Sequence, residues 1–333
     1  MVIVNWNGGE VLNECLESLS KIDYKNWELI LVDNGSIDGS ENIPSQFPTP
    51  ISKFKLIKNS ENLGFAKANN QGYKIAKGKY ILLLNNDTKV APDLLYELVK
   101  FMEENNTIGV IQPKIFIMDK PGYLDNAGSF LTKTGFLRHW GYMQKDSEEF
   151  NKSREIFSAK GACMFIRKDL IDKVGLFDDD FFNYFEESDF CWRVWIAGYS
   201  VMYVPTSYIY HKVGFSSKRQ NQSLVYYHSL KNMLSAQIKN LEFKNLIQIT
   251  PAFLFIVASL SIYYLLRFRL KEFMMIWKAI FWNLIHVGKI LQKRSKIQRF
   301  RKVSDREIFD KVAERFSLLS MFSHFLKVEA NFK

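Results

Sequence analysis

Short apolar runs broken by polar loops open the chain. Val2-Ile3-Val4, Trp27 to Val32 and Tyr80 to Leu84 run into Asn5-Trp6-Asn7-Gly8-Gly9, Asp33-Asn34-Gly35-Ser36 and Asn85-Asn86-Asp87. Runs of this length predict strands buried in a parallel sheet, each with a polar loop at its carboxyl end. Val11, Leu12, Cys15, Leu16 and Leu19 recur at helical spacing between the first two runs. Residues 53–58 are strand-like, 64–77 helical, and Pro92 starts a helix through about 102. Strands alternating with helices predict an α/β fold with a mostly parallel sheet. In such sheets ligands bind beyond the carboxyl ends of the strands. From 105 to 185 the pattern weakens into turn-rich pieces, such as Pro121-Gly122 and Asn126-Ala127-Gly128. A helix over 186–198 and a strand over 200–204 follow. Near 222 the chain turns helical and strongly apolar, which predicts two parts, 1–221 and 222–333.

Composition is that of a globular protein: 333 residues, 47% hydrophobic and 24% charged. Cys15, Cys163 and Cys191 are too scattered for a disulfide framework or a zinc site, and a reducing compartment is expected. No charged or apolar leader precedes Met1-Val2-Ile3-Val4, so a secretory signal is not expected. Formal charge is +10, yet residues 1–266 carry 29 basic and 29 acidic side chains. Residues 267–302 carry 11 basic side chains against the single acid Glu272, and 303–333 balance at 5 and 5. The excess is local, which argues against a nucleic-acid-binding face spread over the fold.

The loops hold the candidate chemistry. Asp33 and Asp87 each follow a buried strand, where an Asp can hold a base or ribose or ligate a hard cation. The same residues also suit a turn and a helix cap. Glu186, Glu187 and Asp189 follow the aromatic run 181–185, a setting that raises a carboxyl toward general-base range. An acid-rich helix N-terminus is the plainer reading. His211 becomes a ligand candidate if Asp87 holds a divalent ion. The loop from Asn62 through Gly64 and Phe65 to Asn70 leads into a helix and could seat phosphate, though its glycines do not match a Rossmann or Walker loop.

Five motifs in order resemble the family 2 glycosyltransferases of the GT-A fold over roughly residues 1–220. They are Val2-Ile3-Val4-Asn5-Trp6-Asn7, the segment Val32 to Ser40, Asn62-Leu63-Gly64-Phe65-Ala66, Leu84-Asn85-Asn86-Asp87-Thr88, and Phe185 to Arg193. An element His211 to Ser216 adds a likeness to bacterial-type rhamnosyltransferases. The resemblance implies a Rossmann-like sheet and inverting transfer from a nucleoside-diphosphate sugar, dTDP-rhamnose being the first expectation and a UDP-hexose or UDP-N-acetylhexosamine the alternative. It places Asn5, Asn7, Asp33, Asn34, Ser36 and Asn86 with the nucleotide, and Asn62, Gly64, Phe65 and Asn70 with the diphosphate. It makes Glu187 the base, with Glu186 and Asp189 beside it, and puts Gly161, Ala162 and Arg193 on the acceptor side. Asp87 is the surviving acid of an Asp-x-Asp metal motif whose first position here is Asn85. His211 would compensate in holding Mg²⁺ or Mn²⁺. A catalytically inactive nucleotide-sugar-binding scaffold is the expectation of another class.

Residues 246–266 contain no charge and are just long enough to span a bilayer. On a helix over 271–296, Lys271, Lys278, Lys289, Lys293 and Lys296 share one side, and Phe273, Ile276, Trp277, Ile280, Leu284, Val287 and Leu291 the other. That pattern suits a helix lying in an anionic membrane surface. A single span would export the basic segment, against the positive-inside tendency. Either a second, imperfect span over 273–291 returns the chain, or both helices lie in the cytosolic leaflet, which the charge favours. The expected partners are thus a nucleotide-sugar donor, a lipid-linked or envelope-glycan acceptor, and an anionic membrane touching residues 246–302 at the cytoplasmic face.

Overall fold

The computed structural model describes residues 1–42, 53–215 and 221–314. Four parallel strands form one half of the main sheet: β1 (Val2–Asn5), β2 (Leu29–Asn34), β3 (Phe54–Asn59) and β4 (Tyr80–Asn85), in the order β4-β1-β2-β3. β2 is buried along its whole length, as expected of a strand covered on both faces. Helix α1 (Gly9–Leu19) buries Val11, Leu12, Cys15, Leu16 and Leu19, the stripe its spacing predicts. Helix α2 (Phe65–Ile75) precedes β4, and β5 (Thr88–Val90) and α3 (Leu94–Glu104) follow it.

The second half of the sheet is mixed. It is built from β6 (Ile108–Ile117), β7 (Leu124–Asn126), β10 (Arg154–Glu155), β11 (Cys163–Arg167) and β12 (Ser200–His211), while β8 (Ser129–Thr132) and β9 (Leu137–His139) lie in a separate small sheet. β11 lies antiparallel between β4 and β6, and β12 runs parallel to β6. Helices α4 (Lys168–Val174) and α5 (Glu186–Ile196) precede β12. The expected strand over 200–204 is therefore too short. The chain continues past Pro205 because a register irregularity between Val204 and Tyr208 takes the proline out of the ladder. All three cysteines are buried free thiols.

Two compact units emerge. One comprises Met1–Ser129, His139–Val213 and Phe300–Lys302; the other takes Phe130–Arg138, Gly214–Arg299 and Val303 onward. The units are not two consecutive segments, since Phe130–Arg138 goes with the second and Phe300–Lys302 with the first. Ser216, the last position of the His211 element, and residues 315–333 lie outside the described residues.

The second unit is mostly helical, with α6 (Gln222–Asn240), α7 (Phe243–Leu266), α8 (Leu270–Ile285), α9 (Val287–Arg299) and α10 (Asp305–Val312), beside the small sheet of β8 and β9. Its core joins Leu230 and Leu234 of α6, Phe253, Val257 and Tyr264 of α7, and Ile276 and Ala279 of α8. Among the described residues α7 is the one helix long and apolar enough to cross a membrane. The single helix expected over 271–296 is two helices, broken at His286 beside Val287 and Gly288, both weak helix formers. The break removes the imperfect span expected over 273–291. It also splits the expected apolar face, because Ile276 is buried while Leu284, Val287 and Leu291 are exposed.

Candidate active site

Parallel register sets the site. Asn5 pairs with Asp33, and Val4 with Asn85, so the carboxyl ends of β1, β2 and β4 lie side by side. Asn5 Nδ2 donates to Asp33 Oδ1 at 3.0 Å, Ser36 Oγ at 3.1 Å and Ser40 Oγ at 2.9 Å. Asn5 Oδ1 accepts from Asn86 Nδ2 at 2.8 Å. Asn7, at φ 51°, donates its N–H to Ser36 Oγ at 2.9 Å and accepts from the Ile37 N–H at 2.8 Å. A left-handed backbone suits Asn better than most side chains. Asn5, Asn7, Asp33, Ser36 and Asn86 thus form one hydrogen-bonded floor.

A second network holds the loop before α2. Asn34 Oδ1 accepts from the Leu63 N–H at 3.1 Å, and its Nδ2 donates to Asn62 Oδ1 at 2.9 Å. Asn62 Oδ1 also takes the Gly64 N–H at 2.9 Å. Gly64 sits at φ +86°, where a Cβ would come within 2.4 Å of the Phe182 carbonyl oxygen. Only glycine fits there. Phe65 donates its N–H to the same carbonyl at 2.7 Å. Asn70 reaches the next part of that loop, donating to Phe177 O at 2.9 Å and Asp179 Oδ1 at 2.8 Å. The loop seated on α2 is the one leading into α5.

Tyr184 and Phe185 take positive φ, 69° and 71°, immediately before Glu186 starts α5. Two successive non-glycine residues in this region store strain, which concentrates at working sites. Glu186 and Glu187 each keep an Oε2 that is buried and makes no hydrogen bond. Burial, reinforced by its neighbour Glu187, pushes the Glu186 carboxyl well above the usual range. Burial also raises Glu187, against the opposing charge of Lys160. Asp189 accepts from Arg193 Nε at 3.2 Å, and the guanidinium also donates to the carbonyls of Val174, Gly175 and Leu176. That buried pair holds α5 against the end of α4.

Asp87 and His211 meet because β5 pairs antiparallel with the end of β12, His211 opposite Thr88. His211 Nε2 lies 3.3 Å from Asp87 Oδ1, a buried oxygen that makes no hydrogen bond. His211 Nδ1 lies 2.8 Å from Asp125 Oδ2. Asp125, fully buried, also accepts from Lys160 Nζ at 2.6 Å on each oxygen. Burial pulls the His211 imidazole down, but Asp87 and Asp125 outweigh it and push the pKa up to about 9. Burial raises Asp125, while Lys160 and His211 together bring it well below the usual carboxylate range. Lys160 donates its N–H to Gln112 Oε1 at 2.7 Å, which fixes the segment containing Gly161 and Ala162. Gly161 faces the Phe65 ring, and Ala162 O accepts from the Asn85 N–H at 3.0 Å.

Among the described residues no three His, Cys, Asp or Glu side chains converge on a metal-sized site. Asp87 Oδ1 and Asn85 Oδ1 are nevertheless buried oxygens without a hydrogen bond, of the type that Mg²⁺ or Mn²⁺ takes as ligands, and an imidazole could join them only in its neutral form. Such ions commonly complete their coordination with substrate phosphate and water. Asp125 and Lys160 carry no signal of this role in the sequence. Asp125 lies in a segment that turn chemistry already accounts for, and Lys160 carries no motif of its own.

The sequence model described as glycosyl transferase family 2 matches residues 1–175. GlyG, a glycosyltransferase of Streptococcus pneumoniae, is 33% identical over 111 residues, which is 33% of this chain and 37% of that protein. The first curated relatives are matched over only 23% to 46% of their own length. S. aureus TarS 1–349 in complex with UDP-GlcNAc superposes with a TM-score of 0.57 at 16% identity, covering 95% of this chain and 93% of that one. The mannosyltransferase PcManGT from Pyrobaculum calidifontis, in complex with GDP-Man and Mn²⁺, gives 0.53 at 14% identity, covering 93% and 86%. These likenesses show that the fold is GT-A.

Proposed function

The chain belongs to glycosyl transferase family 2, and we propose that it moves a sugar, with inversion, from a nucleoside-diphosphate donor to a hydroxyl of a lipid-linked or cell-envelope glycan. One observation carries this reading. The floor built on Asn5 and Asp33 is joined through Asn86 to the strand end where Asp87 meets His211. A nucleoside held over Asp33, Ser36 and Asn7 would extend its diphosphate toward Asp87, past the Asn62–Gly64 loop. Asp87 and His211 would hold Mg²⁺ or Mn²⁺ there, and a bound cation neutralises the charge that develops on the departing diphosphate.

Glu187 is the base in this scheme. The acceptor oxygen attacks the anomeric carbon, its proton passes to Glu187, and the bond to the diphosphate oxygen breaks with its electron pair on the leaving group. A carboxyl raised by burial is the better proton acceptor near neutral pH. Gly161 and Ala162 would line the acceptor side. Asp189 and Arg193 act by holding α5.

The test is Glu187→Gln, expected to abolish turnover while nucleotide affinity stays within a few-fold, the signature of a group acting in the transition state. Near-normal turnover would remove Glu187 from this role. Release of sugar from the donor by the wild type separates an enzyme from an inactive scaffold. The likeness of the His211 element to rhamnosyltransferases supports a dTDP-rhamnose donor, whereas the UDP-GlcNAc bound by TarS supports a UDP-sugar. Thermal shifts with dTDP-, UDP- and GDP-sugars decide, because a ligand of the native state raises stability by mass action. The apolar and basic helices of the second unit support work at the cytoplasmic face of the membrane.

A further inference from the structure

The turn between α7 and α8 is built unlike a turn meant for water. Phe268 occupies its tip at φ +56°, a backbone conformation that normally selects glycine or asparagine. Its side chain is 89% exposed, and Leu266 and Leu270 beside it are 74% and 53% exposed. The apolar surface continues down both helices. Phe255, Ile262 and Leu266 share one face of α7; Leu270, Met274, Phe281 and Ile285, at i, i+4, i+11 and i+15, share one face of α8. This far exceeds the scattered apolar side chains of a water-soluble surface.

Basic groups collar the tip. The Arg267 guanidinium lies 5.6 Å from the Tyr263 ring centroid, and that of Arg269 lies 4.7 Å from Tyr264. Lys271 and Lys278 are exposed alongside the apolar stripe of α8. The one acid of 267–302, Glu272, pairs with Arg269 at 2.8 Å. The face therefore presents apolar side chains ringed by positive charge.

We propose that the α7–α8 turn is a wedge that inserts Leu266, Phe268 and Leu270 into the interfacial region of an anionic phospholipid leaflet, while Arg267, Lys271 and Lys278 bind the headgroups. This rests on the membrane-surface reading given above and deepens it by naming the inserted residues. Apolar side chains of interfacial segments enter about 5–10 Å, within reach of one such turn. Each headgroup-facing cation adds about 1 kcal/mol. A second copy of the chain suits the face less well, since it would set one basic collar against another.

The experiment uses the full-length protein and flotation on two vesicle compositions, phosphatidylcholine alone and an equal mixture of phosphatidylcholine and phosphatidylglycerol. Wild type is expected on the mixed vesicles, less at high salt, and largely free of the neutral ones. Phe268→Gly should lower the partition coefficient by about tenfold, the loss of one buried phenyl group. It should fold at least as well as wild type, because glycine adopts the left-handed backbone freely. Leu266→Asp should lower partitioning further, with donor hydrolysis in detergent unchanged for both variants. Partitioning of Phe268→Gly equal to wild type would overturn the wedge and leave membrane association standing. Failure of wild type to float on either composition would overturn both. Equal binding to neutral vesicles would overturn the anionic leaflet as occupant. Self-association that Phe268→Gly abolishes would assign the face to a second copy instead.

Discussion

His211 Nδ1 lies 2.8 Å from Asp125 Oδ2, and that contact settles which edge of the imidazole is turned to Asp87. Partners of this kind fix the tautomer and orientation of a ligating histidine, and their loss costs about 10- to 100-fold in metal affinity. Asp125→Asn keeps the shape and removes the charge shared by His211 and Lys160. Mn²⁺-dependent donor binding, measured by calorimetry, should weaken by about that factor, while metal-free nucleotide binding changes little. Equal loss with and without Mn²⁺ would mean a general structural role.

Lys160 offers a test through pH. Its charge lowers the Glu187 carboxyl against the raising effect of burial. Lys160→Gln should therefore raise the pKa of Glu187 further, and the acid limb of the kcat/KM profile should move to higher pH. A limb that stays put or moves down would uncouple Lys160 from the base.

Glu186 predicts a stability that depends on pH. Its folded pKa lies well above the unfolded value, because burial and Glu187 both disfavour its charge. Between those two values the native state binds more protons than the unfolded chain, so this carboxyl costs stability as pH rises through the window. Glu186→Gln removes that cost. Its melting temperature should exceed wild type at pH 8, and the difference should shrink toward pH 5. A lower melting temperature at pH 8 would show that the carboxylate is held by favourable contacts.

Gly64 gives a backbone test. At φ +86°, with the Phe182 carbonyl 2.4 Å from where a Cβ would stand, alanine must push α2 and the 177–185 loop apart. Gly64→Ala should cost about 1–3 kcal/mol in denaturant unfolding, and it should weaken donor binding through the displaced loop. A neutral effect on both would mean that the loop shifts freely.

Much of the parallel half of the sheet can be read in the sequence, because β2 is buried throughout and β1 and β4 over most of their length, which leaves uninterrupted apolar runs. The mixed half is harder. The central strand β6 carries Gln112, Pro113 and Lys114, which interrupt an apolar run although they are buried in place. Strand β12 passes a proline that ordinarily ends a strand. At the site, Asp33 and Asp87 stand out because each follows an apolar run, Asp33 near the end of β2 and Asp87 just beyond β4. Asp125 does not, since Asp125-Asn126-Ala127-Gly128 has the composition of any tight turn. Its contacts with Lys160 and His211 join positions distant in sequence, and local pattern carries no trace of them. The break at His286 leaves no local trace either, because the 3.6-residue rhythm continues across it.

The ladder joining Thr88 to His211 also has a consequence in time. Synthesis from the N-terminus delivers β1 to β4 early, so the floor over Asn5 and Asp33 can close while the rest of the chain is still being made. The histidine facing Asp87 arrives only with the last residue of the last strand of that sheet, across a loop whose closure is costly in entropy. On the proposed reading, the residues that would hold the nucleotide are thus made well before the histidine that would complete the cation site, and the order of synthesis separates the two.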